Sequence, residues 1–492
     1  MYSYYILLIT LIVVCFSNNN NGVVVNAQQA HAECLYSHSL PDDSILLPDS
    51  TGRSMFHDFF GNTESNGFST IDSMYAKPNT TCDVLPDASS YWIPALKVKG
   101  MIIRPSYTKI YYQGGNSSFY PVSVMPRGLQ IIAGNPKNTG RARGVWFLCN
   151  GYNRDPVKYC PASPDTYNVT QYNFNLIFPN CWDGVNIRPN FTYRNAVFDD
   201  KNIEGKCPPD YPVRIPTLNM QIAYYLNETD LSDAQLSLNP VVVNGTWTYP
   251  WASLYSAHAD FFNAWDEESM KYMVEECLNK NRSCENRVPR VYGPADATFA
   301  MVNNKKVNTP VLQINNDSIP FIKITIPDRL KGLSWASGRI EINCQNNNLT
   351  ALPDFINVYQ VTAESFASSS PVCPNKNRVS GIYLDGELDY RGIDITDIVR
   401  NATVNGVKEL YFCLRSSDGV ETYSFESMNG LTGKLPRILF MDPGKKIIEQ
   451  PLPGLVPYLY VDPPQPKPNT GAIMMPSLAI TFVSLLLAII IY

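Results

Sequence analysis

The chain has 492 residues, enough for more than one domain at roughly 150 residues each. Hydrophobic residues make up 45% and charged residues 17%, which excludes intrinsic disorder over most of the length. The formal net charge of -5, without any run of Lys or Arg, argues against nucleic acid as a partner. Few charges and 12% aromatic residues favour β structure.

Residues 1–27 are typical of a secretory signal peptide. An apolar run over 6–16 precedes small residues at 25–27, so we expect cleavage after Ala27 or after Ser17. A signal anchor is the alternative because no basic residue precedes the run. About eleven apolar residues are few for a bilayer-spanning helix, which needs about 20.

Residues 34–287 form the first predicted domain. Short β-like runs such as 173–178 and 220–225 alternate here with turns rich in Gly, Pro and Asn. After a plausible N-cap at Asp266, apolar residues follow at i, i+3, i+4 and i+7, which predicts an amphipathic helix that closes the domain. Those apolar residues are Met270, Met273, Val274 and Cys277.

Residues 288–441 form a second predicted domain, whose strand-like runs at short spacing suggest a β-sandwich. The segment 442–470 is rich in proline, which predicts an extended stalk. The predicted fold class is therefore mainly β. It comprises two β-sandwich or jelly-roll-like domains, one amphipathic helix that closes the first, and a Pro-rich stalk.

The hydrophobic end, residues 471–492, is expected to be a GPI-attachment signal. Small residues begin at Asn469, the predicted attachment site, and no charged residue follows the apolar tail. A transmembrane tail is the alternative, although a spanning helix normally keeps Lys or Arg on its cytoplasmic side. Both interpretations place the body of the protein at the extracellular face of the plasma membrane.

Cysteines and glycosylation motifs agree with this location. Eleven cysteines follow the signal and none forms a CxxC zinc pattern, so disulfides are expected, with at least one thiol free or paired between chains. N-glycosylation is predicted wherever N-x-S/T occurs. The sites are Asn79, Asn116, Asn168, Asn190, Asn227, Asn244, Asn281, Asn316, Asn348 and Asn401.

Two of the four histidines stand one or two residues from an Asp, which could orient the imidazole as a base or a ligand. The candidate catalytic residues are His57, Asp58, Asp183, His258 and Asp260. No G-x-S-x-G, H-E-x-x-H, P-loop or G-x-G-x-x-G motif accompanies them. Hydrogen-bonded core histidines are the alternative, and no metal site is assigned.

Aromatic rings suit sugar binding because the apolar face of a pyranose stacks on a ring while amides and carboxylates bind its hydroxyls. Trp182 and Trp265 flank the polar motifs and are the first candidates, with Asn263 and Arg127 as polar ligand-binding candidates. Each tryptophan could equally be a core residue. The other tryptophans are Trp92, Trp146, Trp247, Trp251 and Trp335.

Several motifs occur in a fixed order along the first domain. They are Phe59-Phe-Gly-Asn-Thr63, Tyr91-Trp-Ile-Pro-Ala-Leu96, the segment 125–134, Phe178-Pro-Asn-Cys-Trp-Asp-Gly-Val-Asn186, Cys207-Pro with 212–216, and 255–266. On these motifs, residues from about 50 to 280 resemble the DUF1996 family of secreted domains. The resemblance implies no particular reaction.

The chain departs from this family at histidines. Family members carry H-x-H where Met55-Phe-His57 stands here, and further histidines where this chain has Thr192 and Asn195. Thr and Asn poorly replace neutral imidazole as a ligand or a base. The resemblance therefore implies a domain kept for its fold and binding surface rather than for catalysis.

The second region is similar to carbohydrate-binding β-sandwich modules of the CBM96 or DNRLRE-like group. The residues that carry this resemblance are Ala295-Asp-Ala-Thr-Phe299, 321–326, 337–342, 358–361, 393–399 and 424–427. It implies polysaccharide binding. No cofactor is expected, although carboxylates of this region could bind calcium. They are Asp385, Glu387, Asp389, Asp394 and Asp397.

These features together lead us to expect a glycosylated, lipid-anchored surface protein that binds polysaccharide of a wall or matrix and is not an enzyme. One alternative is a polysaccharide-acting enzyme whose five candidate catalytic residues line one cleft. Another is an adhesion protein that recognises a protein partner on neighbouring cells.

Overall fold

The computed structural model describes residues 28–151, 155–166, 168–328, 335, 337–344, 354–384, 390–417 and 423–442. Strands account for 42% of the structure and helices for 11%, which confirms the mainly β class. The predicted signal peptide, nearly all of the stalk and the hydrophobic tail lie outside the described residues. Within those residues, no helix is both long and apolar enough to cross a bilayer.

The N-terminal part carries eighteen strands in the described residues. They are β1 (Gln29–Leu40), β2 (His57–Gly61), β3 (Ser90–Pro94), β4 (Leu96–Val98), β5 (Met101–Ile103), β6 (Tyr107–Gln113), β7 (Gln130–Gly134), β8 (Val145–Cys149), β9 (Thr170–Ile177), β10 (Cys181–Trp182), β11 (Ala196–Val197), β12 (Val213–Arg214), β13 (Thr217–Leu226), β14 (Gln235–Ser237), β15 (Val241–Val243), β16 (Thr246–Thr248), β17 (Trp251–Ser253) and β18 (His258–Phe262). Its helices are α1 (Ile71–Ala76) and α2 (Glu267–Tyr272), with 3-10 turns at Pro164–Thr166 and Leu254–Ser256.

One antiparallel sheet of nine strands organises this part, in the order β7-β18-β3-β2-β1-β6-β13-β9-β8. The long strand β1 pairs with β2 along one part of its length and with β6 along the other. The sheet curls, so the inner faces of its two halves meet in one apolar core. Phe178, which follows β9, contacts Phe261 of β18 across this core with ring centroids 6.4 Å apart.

The predicted closing helix is present as α2. The Asp266 carboxylate accepts a hydrogen bond from the Ser269 N–H at 3.2 Å, which caps the first turn as its position predicts. The helix continues through a π-helical turn, Met273–Cys277, and a 3-10 turn, Leu278–Lys280. Its four predicted apolar residues are all buried in the core.

The C-terminal part is a sandwich of a four-stranded and a six-stranded antiparallel sheet, ordered β19-β30-β24-β27 and β21-β20-β23-β28-β25-β26, with the pair β22-β29 beside them. Apolar residues of both sheets form a second core. The strands are β19 (Val291–Pro294), β20 (Ala297–Val302), β21 (Lys305–Val307), β22 (Val311–Ile314), β23 (Ser318–Thr325), β24 (Ser337–Asn343), β25 (Asp354–Val361), β26 (Ser380–Leu384), β27 (Tyr390–Asp394), β28 (Glu409–Ser416), β29 (Tyr423–Glu426) and β30 (Arg437–Met441). Two helices, α3 (Ala363–Ala367) and α4 (Thr396–Asn405), complete it.

An ion pair joins the two parts. Arg437 of β30 binds Glu276, in the turn after α2, at 2.9 Å, and binds Glu341 of β24 at the same distance. Burial by itself would raise the pKa of Glu276, but hydrogen bonds from Lys280 and Arg437 lower it. The carboxylate therefore stays ionised and paired at this junction.

Five disulfides confirm the expectation from the cysteine count, and they pair Cys34 with Cys82, Cys149 with Cys160, Cys181 with Cys207, Cys277 with Cys284, and Cys373 with Cys413. In the described part of the chain, Cys344 is the free cysteine. Its thiol is buried in the C-terminal core, and burial raises its pKa to about 12. Such a thiol is shielded from pairing with another chain.

Candidate functional site

Three of the five candidate catalytic residues meet on the outer face of the nine-stranded sheet. On β3, Pro94 pairs with His57 of β2, and Trp92 pairs with Asp260 of β18. Trp92 and Pro94 are two residues apart, so they lie on the same face of β3. Because alternate residues of a strand share a face, His57, His258 and Asp260 project to the same side. The two imidazole centroids lie 6.1 Å apart, and the ligand atoms of all three residues lie within 4.8 Å of one another.

Backbone carbonyls orient both imidazoles of this His-Asp cluster. His57 Nδ1 donates to the carbonyl of Asp42, and His258 Nδ1 donates to that of Ser256, each at 2.9 Å. A carbonyl only accepts, so the proton lies on Nδ1 and the Nε2 lone pair of each ring is free. His57 Nε2 is buried and has no hydrogen-bond partner among the described residues.

Burial dominates the electrostatics of the cluster. It lowers the pKa of His57 to about 3 and that of His258 to about 4, so both rings are neutral at physiological pH. Burial also raises the pKa of Asp260 well above its usual range, and the carboxylate of Asp43 raises it further while Arg194 opposes the shift. Two carboxyl groups therefore lie close to two neutral imidazoles.

The remaining two candidates lie elsewhere. Asp58 faces the inner side of the sheet, because it alternates with His57, and it accepts a hydrogen bond from Ser39 Oγ at 2.5 Å. Asp183 lies in the turn after β10, where it accepts the N–H groups of Val185 and Asn186 at 2.8 and 2.9 Å. The five residues do not line one cleft.

The ligand-binding candidates divide between core and surface. Trp265 is buried and donates from Nε1 to the Tyr112 hydroxyl at 2.8 Å, so it presents no face to solvent. Asn263 is also buried and donates to the Pro126 carbonyl at 2.9 Å.

The other two ligand-binding candidates lie at the surface. Trp182 is half-buried, with its indole N–H bonded to the Asn186 carbonyl at 2.8 Å. Arg127 is exposed and paired with Asp72 at 2.6 Å. Only these two of the four candidates are accessible to a ligand.

Sequence reasoning missed a second polar surface, on the outer face of β1, β6, β13, β9 and β8. We call it the polar sheet face. One row across it joins Glu33, Lys109, Gln221, Asn175 and Trp146, which are paired in register from strand to strand. The sequence signal that could have revealed this surface is the alternation of polar and apolar residues along parts of β6 and β13. In the structure, the alternate positions of these strands are half-buried and buried.

A pocket of about 590 Å³ lies at one end of the polar sheet face. Trp146 and Phe198 contribute rings to its lining. The polar lining residues are Gln28, Gln113, Arg143, Asn180, Asp199, Glu204, Arg214 and Thr217. The pocket thus combines aromatic surface with amide and charged groups.

Hydrogen bonds organise one wall of the pocket. Asp199 accepts from the Arg143 guanidinium at 2.9 Å, and its N–H donates to Asn180 Oδ1 at 3.0 Å. Gly144 has φ +77°, and a Cβ placed there would lie 2.8 Å from the Ile177 carbonyl oxygen and 2.9 Å from the Phe198 ring. A larger residue would be strained at this position and would displace the wall.

The departures from the family pattern lie partly in the interior and partly at the surface. Asn195 is buried and donates to the carbonyls of Gln130 and Asn186 at 2.9 and 3.0 Å. Thr192 is exposed, whereas Met55 is buried. Asn195 therefore has a structural role here, holding its loop against β7.

Nine of the ten predicted glycosylation sites lie in the described residues, and all except the half-buried Asn116 are exposed. Asn348 and the predicted anchor site Asn469 lie outside the described part of the chain, as do residues 385–389 of the calcium candidates. Asp394 bonds Thr396, and Asp397 pairs with Arg400 at 3.4 Å. Glycosylation and calcium binding stay predictions.

Comparison with known proteins agrees with the resemblance of the first domain. Residues 43–265 match the model of a family described as "Domain of unknown function (DUF1996)". Over this range the chain is similar to the DUF1996 family. The match spans β2 to β18, which includes the His-Asp cluster and the polar sheet face except for its strand β1.

The other comparisons add no functional argument. No curated protein matches the chain. Among solved structures, the mosquito-larvicidal Cry4Aa toxin of Bacillus thuringiensis aligns at 9% identity and a TM-score of 0.16, over 84% of this chain and 53% of that one. This chain therefore spans about half the length of the toxin structure, and a likeness this low carries no conclusion.

Proposed function

We propose that this is a glycosylated cell-surface protein that binds extracellular polysaccharide of a wall or matrix through the polar sheet face and its pocket. The observation that carries the proposal is the pocket of about 590 Å³ in which Trp146 stands beside amide and carboxylate side chains. Ligand sites of this size are typically aromatic surfaces with a few placed polar groups.

The chemistry of the polar sheet face suits a neutral sugar. Its central charges neutralise each other, since Lys109 binds Glu33 at 2.7 Å. Asn175 is buried, and neither its amide oxygen nor its nitrogen has a hydrogen-bond partner among the described residues. Asn219 Oδ1 is likewise unpaired. These amide atoms are buried, so the side chains of this row that a ligand can reach directly are the half-exposed Lys109 and Gln221.

The C-terminal sandwich is part of this proposal as a second carbohydrate-binding module of the CBM96-like group. We further propose that the signal peptide directs the chain to the extracellular face of the plasma membrane, where a GPI anchor at Asn469 and the Pro-rich stalk hold both modules outward. Two modules on one chain would bind a polymer more tightly than either alone.

The alternatives have weaker support. A polysaccharide-acting enzyme with its five candidates in one cleft does not fit the separate locations of Asp58 and Asp183. An adhesion protein linked to its partner through a disulfide does not fit the buried thiol of Cys344. Non-covalent recognition of a protein partner stays open to the same binding experiment.

The test is co-sedimentation of the purified full chain with insoluble cellulose, chitin and β-glucan, followed by a soluble glycan array. We expect at least one polysaccharide to retain the chain, and Trp146→Ala to weaken that binding about tenfold or more through loss of a stacking face. Trp247→Ala, on the separate β15-β16 hairpin, is the matched control and should bind like the wild type. Retention by no glycan, or equal loss in both variants, would contradict the proposal.

A further inference from the structure

We propose that His57, His258 and Asp260 bind one divalent transition-metal ion such as Zn²⁺ on the outer face of the nine-stranded sheet. This inference is independent of glycan binding. Two imidazole nitrogens and one carboxylate oxygen, with ligand atoms within 4.8 Å of one another, form a ligand set of the kind that binds zinc and its neighbours in the first transition row.

The orientation of the two histidines is the strongest argument. In metal sites, a ligating imidazole usually donates its other ring N–H to a carbonyl or carboxylate, which fixes the tautomer and aims the lone pair at the ion. Both histidines have this second contact here, to the carbonyls of Asp42 and Ser256. The Nε2 lone pairs are thereby left for a shared ligand.

The unpaired nitrogen of His57 supports the same conclusion independently. The His57 side chain is fully buried, and its Nε2 has no hydrogen-bond partner in the described residues. A core histidine kept only for structure normally has both nitrogens satisfied, because a buried unpaired acceptor costs about 1–3 kcal/mol. A metal ion between the rings would satisfy this nitrogen.

The ligand types select the class of ion. Asp260 is buried beside the two rings, so its carboxylate can supply an oxygen ligand to the same ion. The nitrogen ligands favour a transition metal over calcium, which prefers an all-oxygen shell.

The loop over residues 41–56 closes the site. Asp42 binds the N–H groups of Gly52 and Gly67 through its two carboxylate oxygens, at 2.8 and 2.9 Å. Asp43 binds the N–H groups of Ile45 and Leu46 through one oxygen, at 2.8 and 2.9 Å. The loop is thus held above the cluster, and we expect the ion to be taken up during folding and to exchange slowly.

The experiment measures metal content of the purified full chain by mass spectrometry, as isolated from zinc-supplemented cells and after unfolding with chelator and refolding with Zn²⁺. The expected result is about one zinc per chain in both preparations. Refolding with Co²⁺ should produce visible d–d absorption with intensity typical of four or five ligands. Absence of metal from both preparations would overturn the proposal.

Matched variants locate the ion. Asp260→Asn and His258→Gln keep the side-chain volume, and each should reduce zinc content at least about fivefold and abolish any rise in Tm caused by zinc. His31→Gln, on β1 outside the cluster, should keep full zinc content. If His258→Gln fails to fold, Asp260→Asn and the cobalt spectrum of the wild type decide. Equal zinc content in Asp260→Asn and wild type would overturn the assignment.

Discussion

The two halves of the nine-stranded sheet share one inner core but differ on their outer faces. On β7, β18, β3 and β2, the outer face is covered by the loop over 41–56 and α1, and it holds Phe59, Trp92 and the His-Asp cluster. On β6, β13, β9 and β8, the outer face is polar and half-exposed. One antiparallel sheet thus supports a buried site and an accessible surface.

Under the two proposals above, this difference gives the two faces separate roles. Burial strips water from the His-Asp cluster, which keeps both imidazoles neutral and favours ligation of an ion over proton transfer with solvent. The polar sheet face keeps contact with water and can exchange it for ligand hydroxyls. Stability should therefore depend mainly on the covered face, and ligand binding on the open one.

The largest effect should come from the covered face. Phe59→Ala removes a buried ring that packs against Trp92 with centroids 5.3 Å apart, and we expect a loss of about 3–5 kcal/mol in the free energy of unfolding. Chemical denaturation measures this loss. Trp146→Ala on the polar sheet face should cost much less, and comparable losses in the two variants would break the comparison.

A pH-dependent effect should come from the inner side that both halves share. Burial raises the pKa of Asp87 from 3.8 to about 7, so between pH 4 and 7 this carboxyl group is protonated in the folded chain but largely ionised in the unfolded chain. The contribution of Asp87 to the free energy of unfolding should therefore fall by a few kcal/mol as the pH rises from 4 to 7. Above pH 7 this contribution should be lost.

Denaturation curves at several pH values check this sign. Asp87→Asn cannot titrate, so its stability should be flatter between pH 4 and 7, while Gln221→Ala on the polar sheet face should keep the wild-type slope. A steeper slope in Asp87→Asn would contradict the expectation.

A smaller effect is expected where the covering loop is fixed. Asp42→Ala leaves the buried N–H groups of Gly52 and Gly67 without their acceptor, which should cost about 1–3 kcal/mol and loosen the loop over the covered face. Hydrogen exchange of the loop amides measures the loosening. Asp72→Ala, exposed on α1, is the control and should change little. Unchanged protection in Asp42→Ala would show that other contacts hold the loop.

The smallest effect on stability should accompany a clear effect on binding. Gln221→Ala on the polar sheet face should change the free energy of unfolding by less than about 0.5 kcal/mol, because its side chain is half-exposed. The same variant should weaken retention on the bound polysaccharide by loss of a hydrogen-bonding amide. If the polysaccharide retains Gln221→Ala as well as the wild type, the proposed binding surface is limited to the pocket and does not include Gln221.

Much of the fold could be predicted from local patterns. The alternation along 220–225, the Asp266 cap with its apolar spacing and the odd number of cysteines each depend on neighbouring residues or on a count. The helix begins where the cap indicates, and Cys344 is the cysteine left over. The strand pattern and the helix cap follow from local backbone hydrogen bonding. The free cysteine follows from the odd number of cysteines, since disulfides use them in pairs.

Only part of the candidate site could be predicted from the sequence, and the reason is physical. His57 and His258 stand about two hundred positions apart, and their proximity to an Asp in the sequence suggested similar roles for Asp58 and Asp260. Strand alternation separates these two carboxylates, because Asp58 adjoins His57 and faces inward whereas Asp260 lies two residues from His258 and faces the cluster. The strand register could not be derived from either segment alone.

The amino-acid sequence by itself determined the mainly β class, the closing helix and the disulfide chemistry, since these depend on composition, local periodicity and cysteine number. Only the tertiary structure decided that Trp265 is a core residue, that Trp146 lines a pocket and that His57, His258 and Asp260 converge. Exposure and convergence are properties of strand order and sheet curvature. They are set by contacts between segments far apart in the chain, which no local pattern encodes.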